Sequence, residues 1–125
     1  MSPFQKLILG RILDRYSPNF ITHGGCIGAD EEFHKMCLSR KTNKSISHYI
    51  MVFPSNLKDQ QGNWKGANYV CKGQDPLVRN QIIVDQSDIL IAAPRSDNEE
   101  QRSGTWATIR YARKIGVPVI QLPRG

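Results

Sequence analysis

Residues 20–30, FITHGGCIGAD, join a predicted strand to a predicted helix through a turn that contains three glycines. Phe20–Thr22 carry the aromatic and β-branched side chains that favour a strand. Asp30 and the two glutamates after it bring negative charge to the first helical turn, where the helix dipole favours it. Glycines in such a turn let the backbone approach a ligand closely, and free N–H groups at a helix start attract anions. The stretch therefore predicts either an anion-binding turn or a tight turn without a ligand.

The alternation of strand and helix continues outward from this stretch. Helix starts are predicted at Pro3, Ala29, Pro76 and Gly104, and strands at Phe20–Thr22, His48–Phe53, Ile89–Ala93 and Val117–Leu122. This order is typical of a largely parallel sheet that is covered by helices on both faces. The sequence predicts an α/β fold, a three-layer α/β/α sandwich with a mostly parallel sheet of about four strands. Ligands of such sheets bind at the carboxyl ends of the strands.

Composition narrows the class of protein. The chain has 125 residues, of which 39% are hydrophobic and 22% are charged, and we expect a single domain over residues 1–125. No apolar run approaches the roughly 20 residues that a membrane-spanning helix needs, and the start of the chain does not resemble a signal peptide. We therefore expect a cytoplasmic protein. Cys26, Cys37 and Cys71 are odd in number and lack paired spacing, which predicts free thiols.

The charge of the chain indicates its partners. The formal net charge is +6 and the isoelectric point is near 9.5. Such a balance favours nucleotides, phosphates or nucleic acid. The basic residues are scattered and do not form a stripe with aromatic residues, so nucleic acid is the least favoured of these partners.

Two further segments are expected near the glycine turn. Ser103-Gly104-Thr105 follows a predicted strand and opens a helix, so it is either a phosphate-binding turn or a simple helix cap. Arg79 and Asn80 lie in the first turns of the third predicted helix, where a cation opposes the helix dipole. We expect Arg79 to be exposed, and either to reach a phosphate or to form a surface salt bridge with Asp75 or Asp30.

Other signals are absent from the sequence or cannot be interpreted. No C-x-x-C or H-x-x-x-H spacing predicts a metal site, and no G-x-S-x-G motif predicts a serine nucleophile. Asp30 is the one carboxylate expected near the glycine turn, as a helix cap, a ribose-hydroxyl acceptor or a base. Ser55–Asp75 is a long irregular segment, and loops of this length are usually functional or mobile.

Three motifs taken together resemble a known family. They are HGGCIGAD (23–30), VRNQIIVDQSDILIAAP (78–94) and RSGTWATIRYARKIGVPVI (102–120). In this order and at this spacing they are similar to the SLOG superfamily of Rossmann-like domains, which includes the LOG nucleotide hydrolases and the Smf/DprA DNA-processing proteins. The small YspA/YpsA-related proteins are the branch that the chain resembles most. The likeness runs from about Phe20 to Leu122.

The resemblance implies a nucleotide or an ADP-ribose-like ligand in a pocket at the strand ends. It implies no separate cofactor and no metal. By position in the motifs, the nucleotide-binding residues would be Gly24, Gly25, Gly28 and Asp30 in the first turn, Arg79 and Asn80 as a pair, and Ser103, Gly104 and Thr105 in the phosphate-binding turn.

Two features depart from the family pattern. LOG enzymes carry a P-G-G-x-G-T-x-x-E motif whose glutamate helps to cleave the N-glycosidic bond, and here Thr108 stands at the position of that glutamate. Family members also usually begin with a strand, whereas this chain begins with the helix that follows it. Either the start is truncated or another element fills that place. Without the strand, the sheet has to close up between the strands at Phe20 and Ile89 or take a strand from another copy, and we therefore predict a homo-oligomer.

We expect the chain to bind a nucleotide or an ADP-ribose-like ligand at the carboxyl ends of its strands. One alternative is a hydrolase or transferase that acts on the N-glycosidic or phosphate bond of that ligand, with Asp30 as its catalytic carboxylate. A second alternative is a nucleic-acid-binding module.

Overall fold

The structure, a computed structural model, describes residues 1–43 and 48–125. Four α-helices and five short strands alternate along these ranges. The helices are α1 (Pro3–Tyr16), α2 (Ala29–Asn43), α3 (Pro76–Asp85) and α4 (Gly104–Ile115), and the strands are β1 (Phe20–His23), β2 (Tyr49–Val52), β3 (Tyr69–Val70), β4 (Leu90–Ala92) and β5 (Val119–Gln121). All four predicted helices and all four predicted strands are present.

Residues with local capping preferences fix the helix ends. The Ser2 hydroxyl accepts a hydrogen bond from the Gln5 N–H, and the Gln5 side chain accepts one from the Ser2 N–H, which forms a capping box at the start of α1. Ser103 caps α4 by accepting from the N–H of Trp106. Gly116 ends α4 in the left-handed region, with φ 85°. These caps fix the first and last residues of the helices. They thereby determine where each following strand begins and place the N-termini of the helices opposite the ends of the strands.

The strands pair in parallel, as predicted. β1 pairs with β2 and β2 with β3 in one sheet, while β4 pairs with β5 in another. In the first sheet Ile21 lies opposite Ile50, and in the second Ile91 lies opposite Ile120. Because the first two strands run parallel and in register, the segments that follow His23 and Val52 emerge side by side.

The strand β3 was not predicted. It consists of two residues inside the long segment Ser55–Asp75, and it pairs with the end of β2 through the register Met51 to Tyr69. Two residues are too few to show the alternating pattern that identifies a strand in a sequence. The sheet order β1-β2-β3 therefore extends the fold beyond the expected four strands.

The two sheets do not join within the described residues. There, β1 is hydrogen-bonded to β2 and β4 to β5, so the sheet has not closed up between the strands at Phe20 and Ile89. Helix α1 connects the two halves instead. The fully buried Gln5 donates from Nε2 to the carbonyl oxygens of Pro94 (3.0 Å) and Leu122 (3.1 Å), at the end of the β4–β5 sheet.

Helices cover both faces, which gives three layers. Under α1 and α2 lies a core that takes residues from both sheets: Leu9, Leu13, Ile21, Cys37, Ile50 and Leu122, with Ile91 and Ile120 packed against it. On the other face Trp106 and Ile109 of α4 pack on Ala92. Helix α3 lies beside α4. The predicted α/β class is confirmed, and within the described residues no helix is long and apolar enough to cross a membrane.

Candidate functional site

Arg79 lies at the point where β1, β2 and α3 meet. It stands in the first turns of α3, and its Nη1 donates to the carbonyl oxygens of Gly24 (2.8 Å) and Phe53 (3.3 Å). The residue is only 5% exposed, so the expectation of an exposed arginine was wrong. Its Nε has no hydrogen-bond partner, and among the described residues Arg79 forms no ion pair. The guanidinium is therefore a buried charge that backbone carbonyl groups solvate. The Asp30 carboxylate lies nearby without forming an ion pair, since a Cβ at Gly24 would lie 2.5 Å from Nη1 of Arg79 and 3.0 Å from Oδ2 of Asp30.

Two of the glycines after β1 are required by close approaches. A Cβ at Gly24 would lie 2.5 Å from Nη1 of Arg79, so only glycine lets the guanidinium reach this carbonyl. Gly25 has φ 63°, and a Cβ there would collide with the indole of Trp64 and with Val52. A Cβ at Gly28 would meet no atom within 4 Å, but the backbone there is left-handed, with φ 97°, and this conformation favours glycine.

Asp30 acts within the glycine turn. Its Oδ2 accepts a hydrogen bond from the N–H of Cys26 at 3.0 Å, an amide that lies before the start of α2, so this bond holds the turn to the helix and is not the helix cap considered from the sequence. The pKa of the Cys26 thiol is raised, first by burial and then by the negative charge of Asp30, although Arg79 opposes the shift. This thiol therefore stays protonated at neutral pH, and Cys26 is not poised as a nucleophile.

The N–H groups of the glycine turn are occupied by acceptors of the chain itself. Gly25 donates to Nδ1 of His23 (2.9 Å), Cys26 donates to Asp30 (3.0 Å), and Ile27 donates to the carbonyl oxygen of Gln60 (3.1 Å). Three consecutive amides are thus satisfied internally. An anion that used them would have to displace these acceptors.

A buried histidine pair continues from the turn. Because His23 accepts from Gly25 at Nδ1, its proton is on Nε2, which donates to Nδ1 of His34 at 2.9 Å. His34 in turn donates from Nε2 to the carbonyl oxygen of Lys65 at 2.9 Å. Both rings are buried, and the pKa of His23 is lowered to about 4, mainly because burial disfavours the imidazolium; Asp30 partly offsets this effect. The hydrogen bonds of the pair link the turn to the long segment.

Residues 60–66, which we call the strap, lie across the glycine turn. The Gly25 carbonyl oxygen accepts from the indole Nε1 of Trp64 and from the N–H of Gly62, both at 2.7 Å. The N–H of Asn63 donates to Oε2 of Glu31 at 2.9 Å, in the first turn of α2. The sequence analysis missed these contacts. The only signal was the presence of a tryptophan between Gly62 and Gly66 in a segment with no periodic pattern.

The second predicted turn lies apart from the first. Ser103 serves as the N-cap of α4, and both Gly104 and Thr105 are exposed. A Cβ at Gly104 would meet no atom within 4 Å, so packing does not require glycine there. Among the described residues no hydrogen bond or ion pair joins this turn to residues 24–30. The capping role is therefore what the structure gives to Ser103, and a phosphate role for the turn stays a prediction.

Asn80 and Thr108 face the same groove between α3 and α4. This cavity of about 210 Å³ is also lined by Leu77, Gln81 and Tyr111. The Thr108 hydroxyl donates to the carbonyl oxygen of Gly104 at 2.9 Å. The structure thus brings Asn80 near Thr108, while Arg79 faces the other way, toward Gly24.

Metal binding was not expected from the sequence. Within residues 1–43 and 48–125 there is no group of three histidine, cysteine or acidic residues with the proximity that a metal ion needs. Cys26, Cys37 and Cys71 are free thiols, as predicted.

We predict that His23 makes the fold sensitive to acid. Its pKa is about 4 in the folded chain and near 6.5 when exposed, so the unfolded chain takes up a proton that the folded chain excludes. The free energy of unfolding should fall by roughly 3 kcal/mol as the pH decreases from about 6.5 to about 4, at about 1.4 kcal/mol per pKa unit. Urea titrations at several pH values measure this slope.

The matched control is His23→Gln, which can still accept from the Gly25 N–H but does not titrate. Its free energy of unfolding should depend less steeply on pH over this range. Equal slopes for the two proteins would contradict the assignment.

Comparison with known proteins supports the fold. The chain is similar to the X-ray structure of TM1055, a Northeast Structural Genomics Consortium target, with a TM-score of 0.64 and 18% sequence identity. The match covers 95% of this chain and 64% of that chain, so the chain spans less than two thirds of its structural neighbour. No protein-family model and no curated protein matches the chain. The chain therefore has an α/β Rossmann-like fold.

Proposed function

We propose that this chain binds a nucleotide or an ADP-ribose-like ligand at the carboxyl ends of β1 and β2, with a phosphate close to Arg79. The observation that carries the proposal is the burial of the Arg79 guanidinium without an ion pair among the described residues. A buried charge is costly unless an opposite charge compensates it. Phosphate is one of the anionic groups that a guanidinium binds through two parallel hydrogen bonds.

The surroundings of Arg79 favour an anion. The glycine turn lies against the guanidinium, and the start of α2 directly follows this turn. Helix starts and successive backbone amides attract phosphates, and the net charge of +6 raises the local concentration of anions. The resemblance to the SLOG superfamily, carried by the three motifs, points to the same ligand class.

Asn80 and the turn at 103–105 would bind other parts of the ligand, on the α3–α4 side of the molecule and not on the side where Arg79 meets Gly24. Asn80 offers an amide to the groove between α3 and α4, where Thr108 and Gln81 supply further uncharged polar groups. Uncharged hydrogen-bonding groups suit a ribose or a base more than a phosphate. Ser103, Gly104 and Thr105 would bind a second phosphate at the exposed start of α4.

The first test removes the charge of Arg79. Arg79→Ala should weaken ADP-ribose binding by about 1.5–3 kcal/mol, roughly 10–150-fold in Kd. Because Arg79 is buried, truncation to alanine also destabilises the fold. Arg79→Met keeps much of the side-chain volume and is the variant of choice. Isothermal titration calorimetry measures the affinity, after circular dichroism has verified folding.

The matched control is Arg95→Ala, since Arg95 is an exposed cation in the loop after β4. It should bind ADP-ribose with nearly the wild-type affinity. A folded Arg79→Met variant that binds as tightly as the wild type would remove Arg79 from the site.

The second test separates binding from catalysis. Thr108 supplies no carboxylate at the position of the LOG glutamate, and a positioned acid or base typically contributes about 10²–10⁴ in rate. We predict little or no release of adenine when the protein is incubated with AMP, as followed by chromatography. Turnover that Asp30→Asn abolishes would instead make Asp30 catalytic, and turnover that survives this change would place the catalytic group in Ser55–Asp75.

The divided sheet supports a second copy as partner. The carbonyl oxygens of Asn19 and His23 accept hydrogen bonds from the β2 side. Because backbone groups alternate in direction along a strand, the N–H of Thr22 points to the opposite edge of β1, away from β2. An apolar strand edge of this kind favours pairing with another chain. We predict a homo-oligomer of at least twice the 14.2 kDa chain mass by light scattering.

The control for this prediction is Thr22→Pro. Proline is tolerated on a strand edge but removes the donor that a new strand would need. It should shift the protein toward the monomer. A wild-type monomer at micromolar concentration would count against strand sharing.

A further inference from the structure

The strap covers the part of the glycine turn that an anion would use. Gln60 accepts the N–H of Ile27, while Trp64 and Gly62 both donate to the carbonyl oxygen of Gly25. The closed strap and a bound phosphate would therefore compete for the N–H of Ile27, which Gln60 now occupies.

The strap is attached mainly by polar contacts. Cys26 and Gln61 form one isolated antiparallel bridge, and Asn63 and Lys65 are held by single hydrogen bonds to Glu31 and His34. These bonds are of the kind that water can replace when the segment moves away.

The strap meets α2 beside an open surface pocket. Gly66 lies against Leu38, and the two elements line a pocket of about 400 Å³ that also includes Lys35 and Lys65. Asn63, Lys65 and Gly66 are exposed, and Trp64 is half-buried. Segments with few buried apolar contacts and exposed backbone hydrogen bonds open at lower free energy than the core.

We infer that the strap is a gate: it closes the anion site in the ligand-free chain and has to leave Gly25 before a phosphate reaches the turn beside Arg79. This inference rests on the proposed function and adds regulation of access to it. Opening frees the Ile27 N–H for an anion and removes the Trp64 indole from Gly25. The apparent Kd is then the intrinsic Kd divided by the fraction of chains whose strap is open.

A reversible disulfide tests the gate. Residues opposite each other in an antiparallel bridge have Cα atoms about 4.5–5.5 Å apart, which is within the range of a disulfide. Gln61→Cys therefore places a thiol opposite the native Cys26. Cys71 is changed to serine in every protein tested, because it is a second partly exposed thiol. Oxidation should lock the strap closed, and dithiothreitol should release it.

The oxidised Gln61→Cys protein should bind ADP-ribose at least about tenfold more weakly than its reduced form, because the open fraction is removed. The matched control is Cys26→Ser with Gln61→Cys, which cannot form the lock and should bind equally well under both conditions. If a locked protein, verified by thiol titration, binds as tightly as the reduced one, the gate is overturned while the proposed function stands.

Hydrogen exchange tests the gate without a ligand. The amides of Gly62 and Ile27 should exchange at least about tenfold faster than those of Ile50 and Ile109, because strap opening does not require global unfolding. If the amides of Gly62 and Ile27 exchange as slowly as those of the core, the gate is overturned, whether or not the protein binds a ligand. If the reduced proteins bind neither ADP-ribose nor AMP, the proposed function fails, and the exchange rates alone decide whether the strap opens.

Discussion

The burial of one guanidinium organises the carboxyl end of the first sheet. Arg79 reaches the carbonyl oxygens of Gly24 and Phe53, so it ties α3 to the residues that follow both β1 and β2. A buried charge needs polar partners, and these two carbonyl oxygens supply them. A side chain at Gly24 would collide with the guanidinium. The position of α3, the path of the turn and the identity of the glycine thus have one common cause.

Helix α1 connects the two sheets of the fold. Hydrogen bonds do not join β1 to β4 within the described residues, yet the core under α1 and α2 takes Ile21 from one sheet and Leu122 from the other. Gln5 adds two buried hydrogen bonds to the second sheet, and removing such a donor would leave two carbonyl groups unsatisfied. Apolar packing through a helix therefore holds together two halves that a strand would otherwise join.

The parts that the sequence predicted are those with local causes. Helix α4 follows from the Ser103 cap, the buried positions Trp106 and Ile109, and the Gly116 stop. The closeness of Arg79 to the glycine turn followed from the rule that ligand sites form at the carboxyl ends of parallel strands. The burial of Arg79 was missed because it depends on Phe53 and Gly24, which are 26 and 55 residues away along the chain.

The strap shows why the rest could not be predicted. Its contacts are single hydrogen bonds between irregular segments, such as Trp64 to Gly25, and they leave no periodic pattern in the sequence. The histidine pair is similar, since His23 and His34 are related only through the packing of α2 on β1. Predictions from sequence fail where a side chain bonds to the backbone of a distant loop. In this chain those are the bonds that surround the candidate site.

The chemistry of the site favours holding a ligand over cleaving it. The Asp30 carboxylate accepts a hydrogen bond from the Cys26 N–H and so holds the backbone of the turn. The Thr108 hydroxyl is directed to the backbone of its own helix. Both ring nitrogens of His23 and of His34 are occupied by hydrogen bonds, so neither ring is placed to take a proton from water. What remains is a buried cation beside a glycine turn, and the proposed phosphate binding rests on these two features.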